Sequence, residues 1–391
     1  MKRIVLLTNI LTPYRSYFYN LLYGEFINRG IDFKVIVTAE SEPNRNWMYD
    51  DLKTNFTILS KGKVIKLPNN IFIHLNRNFS SLLRDLRPDL IISAGTYLYP
   101  ALWSVLFNRK KMGYKVIYWN ESHNHEYRNY SFIKLKLREN IRRLIFKKFD
   151  GFFYSGEWSL ELIKQYCNKK SKFIFVPNLI DEAKYCEVDK FSLRHKQNIR
   201  KKYQIKEDTI VLVCPARLTA VKGQLNFLQA FKECDNKSNF TILLCGDGDA
   251  SNEIANLIES NNNWNIKLLG YKNQDEIIDL YSISDFFLLP SLSDPSPLTC
   301  IEALWCGLPL IVSDHVGNAP EALHHNINGF IFSFDKIGDI KQLMLHVESC
   351  YKNKEWLMNA SETSLSIARE IYASRKNTRR IVNELLSYYQ E

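Results

Sequence analysis

Two acids stand eight positions apart in SDPSPLTCIEALWCGLP (residues 293–309), Asp294 and Glu302. The apolar run DFFLLPS leads into them and Gly-Leu-Pro closes the stretch. Ser296 and Pro297 carry the signature of an N-cap and a first helical residue; Gly307 and Pro309 carry that of a stop. A helix is therefore predicted over about Pro297–Cys306. The tip of such a helix presents the backbone N–H groups of Leu298 and Thr299 at the positive end of the helix dipole, which suits an anion such as phosphate. Side chains lean toward the N-terminus of their helix, so Glu302 points back toward a ligand held there. A carboxylate does not bind phosphate. It accepts hydrogen bonds from neighbouring hydroxyls, and a ribose offers two. Asp294, in the loop before the helix, reaches the other side of the same ligand.

Other segments carry matching chemistry. ARLTAVKGQ (216–224) places Arg217 and Lys222 five residues apart around a turn at Gly223, where a strand gives way to a helix. Two cations at a strand end suit a diphosphate. LLCGDGDA (243–250) supplies Gly246 and Gly248 for a tight strand-to-helix turn beside a nucleotide. Its Asp247 and Asp249 imitate a metal-binding pair, but no third hard ligand stands nearby, so no metal is expected. In YWNESHNHEYRNY (118–130), Glu121, His123 and His125 follow a strand directly. They are titratable groups at a strand end, against the plainer reading of a structural His. In TNILTPYRSYF (8–18), Arg15 opens a helix.

Two sets of strands must position these groups. RIVLLT (3–8), FKVIVT (33–38), DLIISAG (89–95), KVIYWN (115–120) and GFFYS (151–155) are short apolar runs between helix-like segments. The pattern returns in TIVLVCPAR (209–217), FTILLCG (240–246), IKLLG (266–270), DFFLLPS (285–291) and PLIVSD (309–314). Near-continuous apolar strands alternating with helices indicate parallel sheets covered on both faces. The expectation is two doubly wound domains facing across a cleft, with ligands at the carboxyl ends of the strands. The boundary falls near VPNLIDEAKY (176–185), followed by a polar, basic connector over 189–206. This gives a first domain over 1–178, a second over 179–365 and a C-terminal helix in 366–391 packing back on the first domain.

The chain has 391 residues, of which 46% are hydrophobic, which suits two packed cores. No apolar run approaches the ~18 residues that cross a bilayer. MKRIVLLTNILTPYR resembles a signal peptide only superficially and reads as a first buried strand. The eight cysteines never form C-x-x-C and read as scattered reduced thiols of a cytosolic protein. The net charge of +10 is uneven, +15 over residues 1–178 and −5 over 179–391, so the first half is expected to meet something anionic. No nucleic-acid-binding motif accompanies it. SFIKLKLRENIRRLIFKKF (131–149) sets seven Lys and Arg against one Glu, with Ile133, Leu137, Ile141, Leu144 and Ile145 at helical spacing. That combination suits an anionic membrane surface, against the plainer reading of a core-packed helix with a solvated basic face.

A-R-L-x-x-x-K-G, the G-x-G loop, LLGY, a strand ending Pro-Ser, the acid-x7-Glu, E-A-L-x-x-G-L-P and GNAPEAL (317–323) together resemble the retaining GT-B glycosyltransferases of family 4. The match runs in order over nearly all of 170–345; VPNLID (176–181), with Asn178, resembles the interdomain motif. The resemblance implies a hexosyltransferase working on a nucleotide diphosphate sugar, UDP-linked by analogy, without a cofactor or metal. Arg217 and Lys222 would hold the diphosphate, Glu302 the ribose, Asp294 the transferred sugar, and the backbone at Tyr271 would line the base. The acceptor would be a glycan, lipid-linked in bacterial surface polysaccharide synthesis, and the enzyme peripheral on the cytoplasmic face of the inner membrane. A nucleotide-sugar epimerase or a phosphorylase of the same fold is the alternative. The chain departs from the family pattern in three places. Asp294 stands where Glu is usual, Ser-Pro-Leu-Thr replaces a Gly-Phe-Gly-type loop, and the loop after the first strand lacks two glycines and holds Arg15, which would meet phosphate or acceptor. The family's usual His after the strand 115–120 falls by strand counting at Glu121, with His123 two residues on, and either would touch the donor sugar or the incoming hydroxyl. The resemblance makes 1–178 the acceptor-binding domain and 179–365 the nucleotide-sugar-binding domain.

Overall fold

A computed structural model describes residues 2–42, 48–67, 71–97, 99–124, 131–186, 192–261, 263–336 and 338–390. His125 lies outside the described residues. The chain forms two compact units, Met1–Leu179 with Ser374–Glu391, and Ile180–Ala373.

The first unit contains β1 (Arg3–Thr8), α1 (Pro13–Ile27), β2 (Asp32–Val37), α2 (Tyr49–Leu52), β3 (Thr57–Leu59), β4 (Gly62–Leu67), β5 (Ile71–Asn76), α3 (Phe79–Leu86) and β6 (Leu90–Ala94). It continues through α4 (Pro100–Met112), β7 (Lys115–Asn120), α5 (Phe132–Ile145), β8 (Gly151–Tyr154), α6 (Glu157–Lys164) and β9 (Lys172–Phe175). Seven strands form one sheet in the order β3-β2-β1-β6-β7-β8-β9, every neighbouring pair parallel. Alternation along β1 explains why the run is apolar throughout: Ile4 and Leu6 pack on one face of the sheet, with α1, and Val5 and Leu7 on the other, with α3 to α6. Ile4, Val5 and Leu6 are fully buried. At ~1.5–3 kcal/mol each, that burial holds the N-terminal segment in the middle of the sheet.

The second unit contains α7 (Leu193–Lys202), β10 (Ile210–Pro215), α8 (Gln224–Phe231), β11 (Phe240–Cys245), α9 (Ser251–Glu259), β12 (Asn265–Gly270), α10 (Gln274–Ser282) and β13 (Phe286–Leu289). Then come α11 (Leu298–Trp305), β14 (Leu310–Ser313), α12 (Ala319–Ala322), β15 (Gly329–Phe332), α13 (Asp339–Lys352) and α14 (Lys354–Ile371). Its sheet runs β12-β11-β10-β13-β14-β15, again parallel throughout. The last helix, α15 (Ser374–Gln390), belongs to the first unit. It packs Ile381, Val382 and Leu385 into the same cluster as α1, and Arg380 donates to the Phe175 carbonyl at 2.7 Å.

Three features differ from the sequence reading. The basic connector expected over 189–206 contains α7, started by the Ser192 hydroxyl on the His195 amide (3.2 Å) and seated by buried Ile199. Strands β4 and β5 form a separate antiparallel hairpin, tied to the sheet by buried His74, whose Nδ1 lies 2.7 Å from Thr38 Oγ1. The apolar line expected along 131–149 splits. Ile145 is buried in the core, while Phe132, Ile133, Leu137 and Leu144 are 75, 78, 60 and 70% exposed.

Candidate functional site

In each sheet the strand order reverses once, between β1 and β6 and between β10 and β13. Ligands of doubly wound sheets sit at the carboxyl ends of the strands flanking such a point. In the second unit, β10 runs into Arg217 and Lys222, and β13 runs into Asp294 and α11. The four groups singled out by spacing therefore flank one switch point.

The turn after β10 is built by backbone approach. Gly223 has φ +68°, and a Cβ there would overlap the Pro290 carbonyl after β13. Cβ atoms at Gly246 and Gly248 would overlap the carbonyl oxygens of Ala216 and Leu218. The two loops are stitched together, Leu218 N–H to the Asp247 carbonyl (3.0 Å) and Ala250 N–H to the Leu218 carbonyl (2.9 Å). The G-x-G glycines thus let one loop lie flat on the one that carries Arg217. Arg217 itself is exposed, and among the described residues its guanidinium has no ion-pair partner. Asp247 accepts a hydrogen bond from the Tyr271 amide at 3.0 Å, which orders the loop after β12; the Tyr271 side chain is 70% exposed.

Lys222 pairs with Asp294 through Nζ and Oδ2. Asp294 is only 7% exposed, and its carbonyl accepts from the Gly317 amide at 2.8 Å, inside GNAPEAL. The helix after it begins one residue later than predicted. Pro297 is not the first helical residue but an extended N-cap (φ −65°, ψ 127°), whose own side chain makes no cap hydrogen bond. Asn318 fixes the entry by donating to the Pro297 carbonyl at 3.1 Å. Leu298 and Thr299 form the tip of the helix, half-buried.

Glu302 lies one turn in. Tyr281 Oη donates to its Oε2 at 2.9 Å, and the Tyr185 hydroxyl shares the same carboxylate. Burial raises the Glu302 pKa above the usual carboxylate value, and the two phenolic donors pull it partly back.

The remaining candidates belong to the first unit. Arg15, 8% exposed at the start of α1, lies over the Trp119 ring at 4.0 Å and pairs with Glu121 at 2.5 Å. Burial opposes its charge, but Glu121, Tyr14 and Tyr19 outweigh it and raise the pKa, so Arg15 stays a cation. Of the two residues considered after β7, Glu121 is the one held by Arg15; His123 is buried, its ring 5.3 Å from Trp158. Asn178 is buried just beyond β9. The candidates thus divide between the units: Arg15, Glu121, His123 and Asn178 on the first, and Arg217, Lys222, Gly246, Gly248, Tyr271, Asp294, Pro297, Leu298, Thr299 and Glu302 on the second. Sequence reasoning missed Tyr185 and Tyr281. Tyr281 sits in an apolar helical pattern, where a tyrosine that serves a carboxylate reads the same as one that fills a core, and Tyr185 stands in the polar stretch IDEAKYCE, which gives no sign of a buried ring.

Comparison with known proteins bears on the same unit. Residues 195–363 match the family model described as glycosyl transferases group 1. The chain is 28% identical over 216 residues to N-acetyl-alpha-D-glucosaminyl L-malate synthase of Bacillus anthracis, covering 55% of this chain and 53% of that one. It is 28% identical over 191 residues to the UDP-Gal:alpha-D-GlcNAc-diphosphoundecaprenol alpha-1,3-galactosyltransferase of Escherichia coli, covering 47% of each. The chain spans about half the length of these relatives. Anabaena HepE, solved in complex with UDP-glucose, superposes with a TM-score of 0.73 at 18% identity, covering 99% of this chain and 100% of that one. At that identity the likeness shows the fold, the GT-B architecture that the motifs implied.

Proposed function

We propose that this chain, whose residues 195–363 match the glycosyl transferases group 1 family model, is a retaining glycosyltransferase that moves a hexose from a nucleotide diphosphate sugar, with UDP as the leading base, to a glycan hydroxyl. The observation that carries the reading is the convergence at one switch point of Arg217, the Lys222–Asp294 pair, the tip of α11 and Glu302. Two cations and a helix tip are suited to a diphosphate, and a carboxylate one turn away is suited to ribose hydroxyls. Arg217, Lys222 and the α11 tip stabilise the charge that grows on the departing diphosphate, which is the main catalytic contribution. The acceptor hydroxyl attacks from the face the diphosphate leaves, and the leaving phosphate takes its proton. Configuration is retained without an enzyme nucleophile, so Asp294 orients the sugar. Because protein cations meet the diphosphate, the reaction proceeds without metal.

A thermal-shift panel of UDP, GDP, ADP and UDP-sugars, with and without EDTA, tests the donor half. A UDP ligand at about 100 times its Kd adds about 2.7 kcal/mol, a rise of several degrees. The expected rise is the same with EDTA. No response to any nucleotide, or a rise lost with EDTA, overturns the donor or the metal-free reading respectively. Sugar transfer to an added acceptor separates a transferase from an epimerase or phosphorylase of the same fold.

The acceptor side rests on α5. Its four exposed apolar side chains stand among Lys134, Lys136, Arg143 and their basic neighbours. A surface both apolar and cationic favours an anionic bilayer over a soluble partner. The proposed acceptor is therefore lipid-linked, in surface polysaccharide synthesis at the cytoplasmic face of the inner membrane. This agrees with relatives such as the E. coli diphosphoundecaprenol-directed enzyme. Flotation with liposomes is expected to carry the protein only when anionic lipid is present, and to fade as salt rises. Equal recovery with neutral liposomes would sink the proposal.

A further inference from the structure

Glu302 is more than a half-buried acid near a helix tip, because hydroxyls approach it from two different elements. Tyr281 is the penultimate residue of α10, and its Oη donates to Oε2 at 2.9 Å. Tyr185 follows the segment that enters the second unit. Its hydroxyl accepts from Gln274 Nε2 at 3.0 Å, which leaves its own proton for the Glu302 carboxylate. Gln274 is the first residue of α10, and Lys184 Nζ donates to its Oε1 at 2.9 Å. The chain of donors runs Lys184, Gln274, Tyr185, Glu302, with Tyr281 closing from the other side. Tyr185 and Tyr281 are 3 and 1% exposed, with ring centroids 6.4 Å apart; the Tyr281 hydroxyl also lies 3.4 Å from the Thr299 carbonyl, and the Glu302 carboxylate is its nearer acceptor.

A structural role alone would be met by two phenylalanines, which fill nearly the same volume. The hydroxyls are the unexplained part. Each places a proton on a carboxylate that burial alone would leave without donors. Two donors fix its rotamer, and the half-buried carboxylate keeps lone pairs for a ligand. We propose that Tyr185 and Tyr281 are positioning residues for the donor nucleotide, holding the Glu302 carboxylate as a fixed hydrogen-bond acceptor for the ribose hydroxyls. The proposal rests on the reading of the second unit as a donor site. It adds that α10, which starts three residues after Tyr271 and ends beside Glu302, links the base-lining loop to the ribose acceptor.

The arrangement has a sign in pH. The titratable groups that face Glu302 are Tyr185, Tyr281 and the buried thiol of Cys300, all three raised above their ordinary values and neutral below pH 8. Glu302 is the group of this cluster that titrates on the acid side, and its pKa is raised by burial. The ionised form that accepts both ribose hydroxyls is present above that raised value and is lost as pH falls through it. Removing a phenolic donor removes a lowering influence, so the loss begins at higher pH.

The test measures the Kd for UDP between pH 5 and 8, each variant referenced to wild type at the same pH so that the titration of UDP itself cancels. Tyr281→Phe and Tyr185→Phe are each expected to weaken UDP about five-fold or more at pH 7.5, with the weakening growing as pH falls. Glu302→Gln is expected to weaken it most at pH 7.5, by a factor that shrinks as pH falls and the wild-type carboxylate protonates. Circular dichroism and the melting temperature report folding, and Tyr185→Phe stands as the second variant should Tyr281→Phe unfold. If wild type and Glu302→Gln differ as expected but both Tyr variants keep the wild-type Kd and pH profile, the clamp is wrong and the donor site stands. If wild type binds none of UDP, GDP or ADP, the donor reading and the clamp fall together.

Discussion

Arg217→Ala is expected to lower turnover by at least ~100-fold while leaving the melting temperature within about 2 °C of wild type. The two halves of that expectation come from different observations. Arg217 is exposed and, among the described residues, has no ion-pair partner, so no buried group is orphaned by its removal. Exposed substitutions of this kind change stability by about 0.5 kcal/mol or less. The catalytic half follows from where the charge goes. A guanidinium at the end of β10 meets the diphosphate most strongly as it leaves. A preorganised donor of that kind is worth ~3–4 kcal/mol, and each 1.36 kcal/mol is tenfold in rate. Release of UDP from a UDP-sugar, with and without acceptor, measures the turnover. Activity within a few-fold of wild type would show that Arg217 does not hold the diphosphate. A large fall in melting temperature would show that it serves the fold instead.

The strands were legible because both faces of each sheet are covered, which makes each a short apolar run. The switch-point residues were legible for a related reason. Each follows such a run directly, and glycines mark the turns at 223, 246 and 248, where a Cβ would overlap backbone. What escaped was context from distant elements. Ser296-Pro297 has the local signature of a cap and first helical residue, yet Pro297 is held extended, with Asn318 on its carbonyl. Polar residues over 192–202 read as a connector, though one cap and one buried isoleucine suffice to seat a helix there. The pairing of Arg15 with Glu121 joins residues 106 apart and leaves no periodic trace in either segment. The hydroxyls on Glu302 were invisible for the same reason, since only tertiary structure brings positions 185 and 281 to 302.

The other large effect concerns the Lys222–Asp294 pair, and its size depends on which partner is removed. Lys222→Met is expected to cost ~100-fold or more in turnover, since it deletes a cation that meets the diphosphate. It also leaves Asp294, 10% exposed in its side chain, without its ammonium, at a stability cost of ~1–3 kcal/mol. Asp294→Asn keeps an oxygen toward Lys222 and is expected to retain about a tenth of turnover or more. A covalent nucleophile would not survive that change, so a loss near ~10⁴-fold would revive the double-displacement route and overturn front-face attack. Asp294→Ala is expected to fall between the two, because Lys222 keeps its charge but loses the group that aims it. The decisive member of the series is the Lys222→Met, Asp294→Ala double variant. If Asp294 acts on the donor partly through Lys222, removing it after Lys222 is gone costs little more. The two single losses then exceed the double by a coupling of about 1–2 kcal/mol, read from turnover. Additive losses would mean that each residue meets the donor independently. The ion pair would then be a feature of the ligand-free state, broken when a diphosphate takes the ammonium and a sugar takes the carboxylate.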